Sequence, residues 1–180
     1  DNVDDEQLHA PSHWDIRQIR RFMLFFGPLS SLFDFMTYAV MLGEDEQRLR
    51  EAQQLICELN MGATAIGTGI TAHPDYAAKV IAHLRAITGI PLATAPNLIE
   101  ATQDCGAFVQ LSGVLKRVAT KLSKTCHDLR LLSSGPRAGL GEINLPAVQA
   151  GSSIMPGKVN PVIPEVVNQI AYEVIGNDVT

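Results

Sequence analysis

Apolar residues recur at helical spacing along most of the chain. In YAVMLGEDEQRLREAQQLICELN, Leu42, Leu49, Leu55, Ile56 and Leu59 alternate with charged residues of an opposite face, among them Glu46 and Arg50 four apart. The pattern predicts a helix that runs from Tyr38 and ends at Asn60. NMGATAIGTG follows, a run of small residues suited to a tight turn packed against a neighbouring backbone. A second helix is expected to open at Pro74, with Asp75 favouring its N-terminal end, and to close at Thr88-Gly89. After Pro96, Asn97 and Glu100 form a capping-box-like start, and nothing breaks the pattern from Leu98 to Leu132. That predicts one helix of roughly 30 residues and about 45 Å. Leu111, Val114, Leu115, Val118 and Leu122 form its broad apolar face, and Ala and Gly on its other faces permit close helix approach.

From Ser133 to Asn160 the periodicity stops. SSGPRAGLGEINLPAVQAGSSIMPGKVN is rich in Gly and Pro, and an irregular segment of that length points to a functional loop. Asn160 is placed to cap, and Pro161 to open, a last helix over PVIPEVVNQIAYEVIG, with Pro164 tolerated in the first turn. The fold class is therefore all-α, a long-helix bundle with a long loop set into it.

Composition narrows the partners. With 46% hydrophobic and 18% charged residues over 180 positions, the chain has the make-up of a globular protein with a core. The net charge of −5 is spread along the sequence with no basic face, which argues against nucleic acid. Cys57, Cys105 and Cys126 are odd in number and lack metal-site spacing, so they read as reduced thiols of a cytoplasmic protein, with no metal. No signal peptide is apparent, and the ends read as those of a fragment. One stretch raises the membrane. Phe22 to Leu42 carries a single charge, Asp34, follows Arg17, Arg20 and Arg21, and approaches the roughly 20 residues of a spanning helix. Gly27-Pro28 interrupts its first half and Asp34 is costly in lipid, so a buried helix is an equal reading. Membrane contact is expected only if residues 22–42 insert.

The loop carries the candidate chemistry. Within GSSIMPGKVNP, Lys158 and Asn160 stand just before a helix start, where free N–H groups and the helix dipole favour an anion. A point charge and a directional amide together suit one carboxylate. The plainer alternative is a solvated Lys158 and an Asn160 that only caps, with Ser152 and Ser153 serving as turn hydroxyls.

GSSIMPGKVNP fills every fixed position of GSSxMPxKxNP and so resembles the signature of the aspartase/fumarase superfamily. NMGATAIGTG, DLRLLSSGPRAGLGEINLP and VNQIAYEVIGND resemble the same family, so the likeness extends from Tyr38 to Thr180. The flanks LPAVQAGSS and NPVIPEVVNQ are more similar to its ammonia-lyase branch than to its fumarases; a fumarate hydratase and a non-catalytic fragment stay open as alternatives. The resemblance implies a reversible elimination that converts L-aspartate to fumarate and ammonia, with Ser152 as the base. It implies that Ser153, Lys158 and Asn160 contact the substrate, that Glu165 supports the site, and that no cofactor is required. It further implies a homotetramer around a helical bundle, each site assembled from three subunits, of which this chain carries one contributing region. His127 departs from the pattern, since CHDLR stands where relatives have CNDLR; as a helical histidine it reads as packed or exposed, not catalytic. Residues 1–37 do not share the likeness. DNVDDEQLHAPSHWDIRQIRRFMLFFGPLSSLFDFMTY resembles a piece of a magnesium-transporting P-type ATPase, which implies a fusion near Phe35 to Tyr38.

Overall fold

The computed structural model describes residues 16–135, 137–151, 154–155 and 158–180, with side chains from residue 32 onward. The chain divides into two compact units, Asp1–Val40 and Met41–Thr180. Among the described residues seven elements follow in order: α1 Ile16–Leu55, β1 Glu58–Leu59, α2 Tyr76–Thr88, β2 Ala93–Thr94, α3 Leu98–Ala101, α4 Gly106–Leu132 and α5 Val162–Asn177. The described residues are thus almost wholly helical, as the periodicity requires.

Helix α1 spans 40 residues and passes through Gly27-Pro28, where an interruption was expected. A proline forfeits one backbone hydrogen bond, and a helix long on both sides can absorb that loss. Side chains 22–31 of the apolar stretch lie outside the described residues. Among the described residues, no helix is long and apolar enough to cross a membrane.

In the second unit α1 stops at Leu55, short of the expected Asn60. The next residues are taken by a parallel pairing of β1 with β2, Glu58 opposite Ala93 and Leu59 opposite Thr94. The Ala93 and Ala95 amides donate to the Cys57 and Leu59 carbonyls at 2.9 and 3.0 Å. Such a long-range pairing leaves no trace in local periodicity. Pro74 stands outside α2, whose N-cap is Asp75, and the helix closes at Gly89 with an N–H to the Arg85 carbonyl at 2.9 Å. Gly67, in the small-residue turn, has φ of +84° and lies against α3. A Cβ there would sit 2.7 Å from the Leu98 carbonyl oxygen, so only glycine allows the approach.

The single long helix expected from Leu98 to Leu132 is two. Asn97 does cap α3, its Oδ1 accepting from the Ile99 and Glu100 amides at 3.1 and 3.2 Å. The helix then ends after one turn, because Asp104 Oδ1 accepts from the Gly106 amide at 3.2 Å. A short acidic side chain that bonds its own backbone competes with the helical ladder, and Gly106 lowers helix propensity further.

Helices α4 and α5 pack antiparallel along two stripes of small or polar residues. Ala119, Ser123 and Cys126 on α4 are buried, as are Pro164, Asn168 and Ala171 on α5. The small face makes the close approach, as the Ala content allowed; on the Leu/Val face Leu111, Val114, Val118 and Leu122 are half-buried and Leu115 is exposed. At the centre Asn168 Nδ2 donates to the Ser123 carbonyl at 3.0 Å and to its Oγ at 2.8 Å. Arg130 donates to Asn168 Oδ1 at 3.4 Å. At the far end Ser112 and Lys116 donate to the two Asp178 carboxylate oxygens at 2.7 and 2.9 Å. Helix α1 reaches α4 through buried Asp45, which receives Arg117 at 3.1 Å and Lys121 at 2.9 Å, with Glu44 3.5 Å from both cations.

Two outcomes follow from this packing. Asn168→Ala strands the Ser123 hydroxyl and opens a buried gap, and is expected to lower unfolding stability by about 1–3 kcal/mol, read from urea denaturation. Hydrogen bonds from Lys116 and then Ser112 hold the Asp178 carboxyl below its ordinary range. The resulting stability is present above the unfolded carboxylate value of about 3.9 and is lost as pH falls through the lower folded value. The urea midpoint of the native chain is therefore expected to drop more between pH 5 and strongly acid solution than that of Asp178→Asn; equal drops would refute the coupling.

Candidate active site

The loop between α4 and α5 is anchored at both ends. At its start, Ser134 Oγ donates to the Leu131 carbonyl at 2.5 Å and accepts from the Leu140 amide at 3.1 Å. The Gly141 amide donates to the Ser134 carbonyl at 2.7 Å, and the Glu142 amide to the Leu132 carbonyl at 2.9 Å. The chain thus turns back on the helix it has just left, which holds Ile143 and Asn144 beside the C-terminal end of α4. At its end, Gly151 lies against Lys158. A Cβ on Gly151 would stand 2.6 Å from the Lys158 carbonyl oxygen, so glycine permits the two strands of the loop to touch.

Of the residues singled out in the sequence, Ser152 and Ser153 lie outside the described residues. Lys158 is exposed, two residues before Asn160. Asn160 is also exposed, and it is not the cap of α5; Pro161 takes that position, with its carbonyl accepting from the Glu165 amide at 3.1 Å. The proline ring presets φ near the helical value, which suits it to the helix boundary. Glu165 is half-buried in the first turn, where the helix dipole favours an acid.

Asn160 lines a cavity of about 160 Å³ together with Ser133 and Asn144, with apolar walls from Leu145, Pro146 and Val159. Among the described residues the lining contains neither Lys158 nor Glu165. Ser133 and Asn144 were not singled out in the sequence, where EINLP reads as ordinary loop. Their signal is topological: the turn back onto α4 is what brings Asn144 to Asn160. A second, wider hollow of about 480 Å³ lies by the small-residue turn, lined by Thr64, Thr71, His73 and Tyr76 among others.

His127 is part of the helix–helix contact. Its Nδ1 lies 2.7 Å from the Ser123 carbonyl and 3.0 Å from Asn168 Nδ2, and its Nε2 lies 3.3 Å from the Tyr172 hydroxyl. One ring nitrogen cannot both donate to a carbonyl and accept from an amide. The shorter contact fits a proton on Nδ1, which leaves Nε2 to accept from Tyr172. Burial pushes the Cys126 thiol up, with Arg130 opposing the shift, so this cysteine is a poor nucleophile. Cys57 is likewise buried and Cys105 exposed, all three as free thiols. Among the described residues no three His, Cys, Asp or Glu side chains converge as a metal site would need.

Residues 32–176 match the family described as Lyase. The aspartate ammonia-lyase of Helicobacter pylori (strain ATCC 700392 / 26695) is 61% identical over 153 residues, 85% of this chain and 33% of that protein. The Pseudomonas aeruginosa aspartate ammonia-lyase is 62% identical over 152 residues, 84% of this chain and 32% of that protein. Among solved structures, a fumarate lyase:delta crystallin from Brucella melitensis bound to cobalt superposes with a TM-score of 0.76 at 61% identity, over 81% of this chain and 32% of its own. A class II fumarase from Schistosoma mansoni gives 0.78 at 33% identity, over 82% of this chain and 34% of its own. The chain spans about a third of the length of the curated relatives it matches. On this match, and on a helical fold shared with those solved structures, the chain belongs to the lyase family of the aspartase/fumarase superfamily.

Proposed function

We propose that this chain is one contributing region of an aspartate ammonia-lyase, which eliminates ammonia from L-aspartate to give fumarate. The observation that carries the reading is its identity of 54–62% to relatives of that name, against 33% to the Schistosoma mansoni fumarase. The loop chemistry agrees with it. Ser152 as alkoxide takes the proton from the carbon beside one carboxylate, and that carboxylate gains a second negative charge as it becomes an aci-carboxylate. The electron pair then forms the carbon–carbon double bond while the carbon–nitrogen bond breaks and ammonia leaves with its own pair. Lys158 and Asn160 are the donors for the developing charge, where preorganised groups contribute most to rate. Ser153 and Glu165 complete the proposed set as a substrate contact and a supporting acid. The remaining parts of the site come from other regions of the complete enzyme, a homotetramer in the cytoplasm on this reading, and the isolated chain is inactive. Residues 1–37 enter the proposal as an unrelated segment, similar to part of a magnesium-transporting P-type ATPase, although the family match begins at residue 32.

The test is a chimaera in which residues 38–180 replace the corresponding third of the Helicobacter pylori enzyme. Ultraviolet absorbance is expected to report fumarate from L-aspartate, and L-malate offered alongside separates a fumarase. Ser152→Ala is expected to lower kcat by about a hundred- to ten-thousand-fold with assembly intact. Turnover of L-malate in place of L-aspartate would reverse the assignment, and full activity of the Ala variant would remove Ser152 as base.

A further inference from the structure

Two pairs of asparagine carboxamides contrast. Those of Asn97 and Asn168 are engaged: one caps α3, and the other is buried and bonded to Ser123. Those of Asn144 and Asn160 are exposed and make no hydrogen bond to any described residue, yet they line the same cavity. They reach it from opposite ends of the loop, 16 positions apart in the sequence. The placement of Asn144 is not incidental, since the Glu142 and Ile143 amides both bond to the Leu132 carbonyl, at 2.9 and 3.4 Å. The backbone leading to it is fixed, and its side chain is free.

We propose that Asn144 is a second substrate-binding carboxamide, which seats the same carboxylate as Asn160. This rests on the ammonia-lyase reading above. An ionised carboxylate offers about four acceptor sites, and one lysine with one amide leaves some of them unfilled. The Asn144 Nδ2 group shares the cavity with Asn160, whereas the Ser133 hydroxyl in the same lining already donates to the Arg130 carbonyl at 3.3 Å. The volume of about 160 Å³ corresponds to roughly five waters at about 30 Å³ each. That admits a carboxylate with its neighbouring carbons. A neutral amide also keeps its donors at every pH at which the substrate is ionised, as a cation near its pKa would not.

The test uses the active chimaera with Asn144→Ala, Asn144→Asp and Asn160→Ala. Asn144→Ala is expected to raise KM for L-aspartate about tenfold or more, the loss of a hydrogen bond to a charged group, with kcat changed less than twofold. Asn144→Asp is expected to raise KM further, because it sets a like charge against the carboxylate, while the melting temperature stays unchanged. If KM is unmoved in both Asn144 variants while Asn160→Ala raises it, the inference about Asn144 is overturned and the function stands. Should the Ala and Asp variants instead lose activity equally and melt earlier, Asn144 is a structural residue and the inference fails. Unchanged KM in all three variants would overturn the reading of the loop as a carboxylate seat.

Discussion

The buried carboxamide of Asn168 is the interaction on which the placement of the loop depends. An amide taken out of water without partners costs on the order of 1–3 kcal/mol in proteins. Here both protons of Nδ2 find Ser123, one at the carbonyl and one at the hydroxyl, and Oδ1 accepts from Arg130. That satisfaction requires α4 and α5 to lie close together in a fixed register. Ala119 and Ala171 make the approach possible, since larger side chains would hold the backbones apart. A clamp at this point brings the C-terminal end of α4 and the N-terminal end of α5 together, and the cavity with Asn144 and Asn160 forms between those two ends.

The remainder of the second unit is held by interactions that a small core cannot replace. Its buried apolar residues are mostly Ala and Cys, with Ile81 the largest. Asp45 is buried against Arg117 and Lys121, and its Oδ2 has no hydrogen-bond partner among the described residues. Removing one partner of such a buried charge group typically costs about 3–5 kcal/mol, so the network fastens α1 to α4 although few apolar side chains do. Meanwhile Phe108, Val109, Leu131, Ile163 and Ile170 are exposed on α4 and α5. Apolar area of this extent on neighbouring helices marks surface meant to be covered. It is consistent with a chain that spans about a third of its relatives.

What the sequence made legible was whatever local periodicity or a terminating residue encodes. The long helices, the Asn97 cap, the end of α2 at Gly89 and the irregular span after Ser133 are of that kind. Three features escaped because their causes are not periodic. Asp104 breaks the long helix through a side-chain bond to Gly106, β1 forms only because β2 lies beside it, and Pro161 displaces Asn160 from the cap. The close approach by small residues of α4 was legible in outline, since Ala was expected to permit it; that Ser123 and Cys126 join Ala119 on that face follows from the geometry. In the candidate site the motif drew notice to Lys158 and Asn160. Asn144 became visible only once the loop was seen to fold back on α4.

The same contrast explains why a segment with so little regular structure can position chemistry. Among the described residues, Ser134, Gly141 and Glu142 bind the end of α4 and Gly151 touches Lys158. Gly151 approaches the Lys158 backbone so closely that a Cβ there would stand 2.6 Å from the Lys158 carbonyl oxygen. Two residues seven positions apart in the sequence therefore touch through their backbones, and a side chain at Gly151 would force them apart.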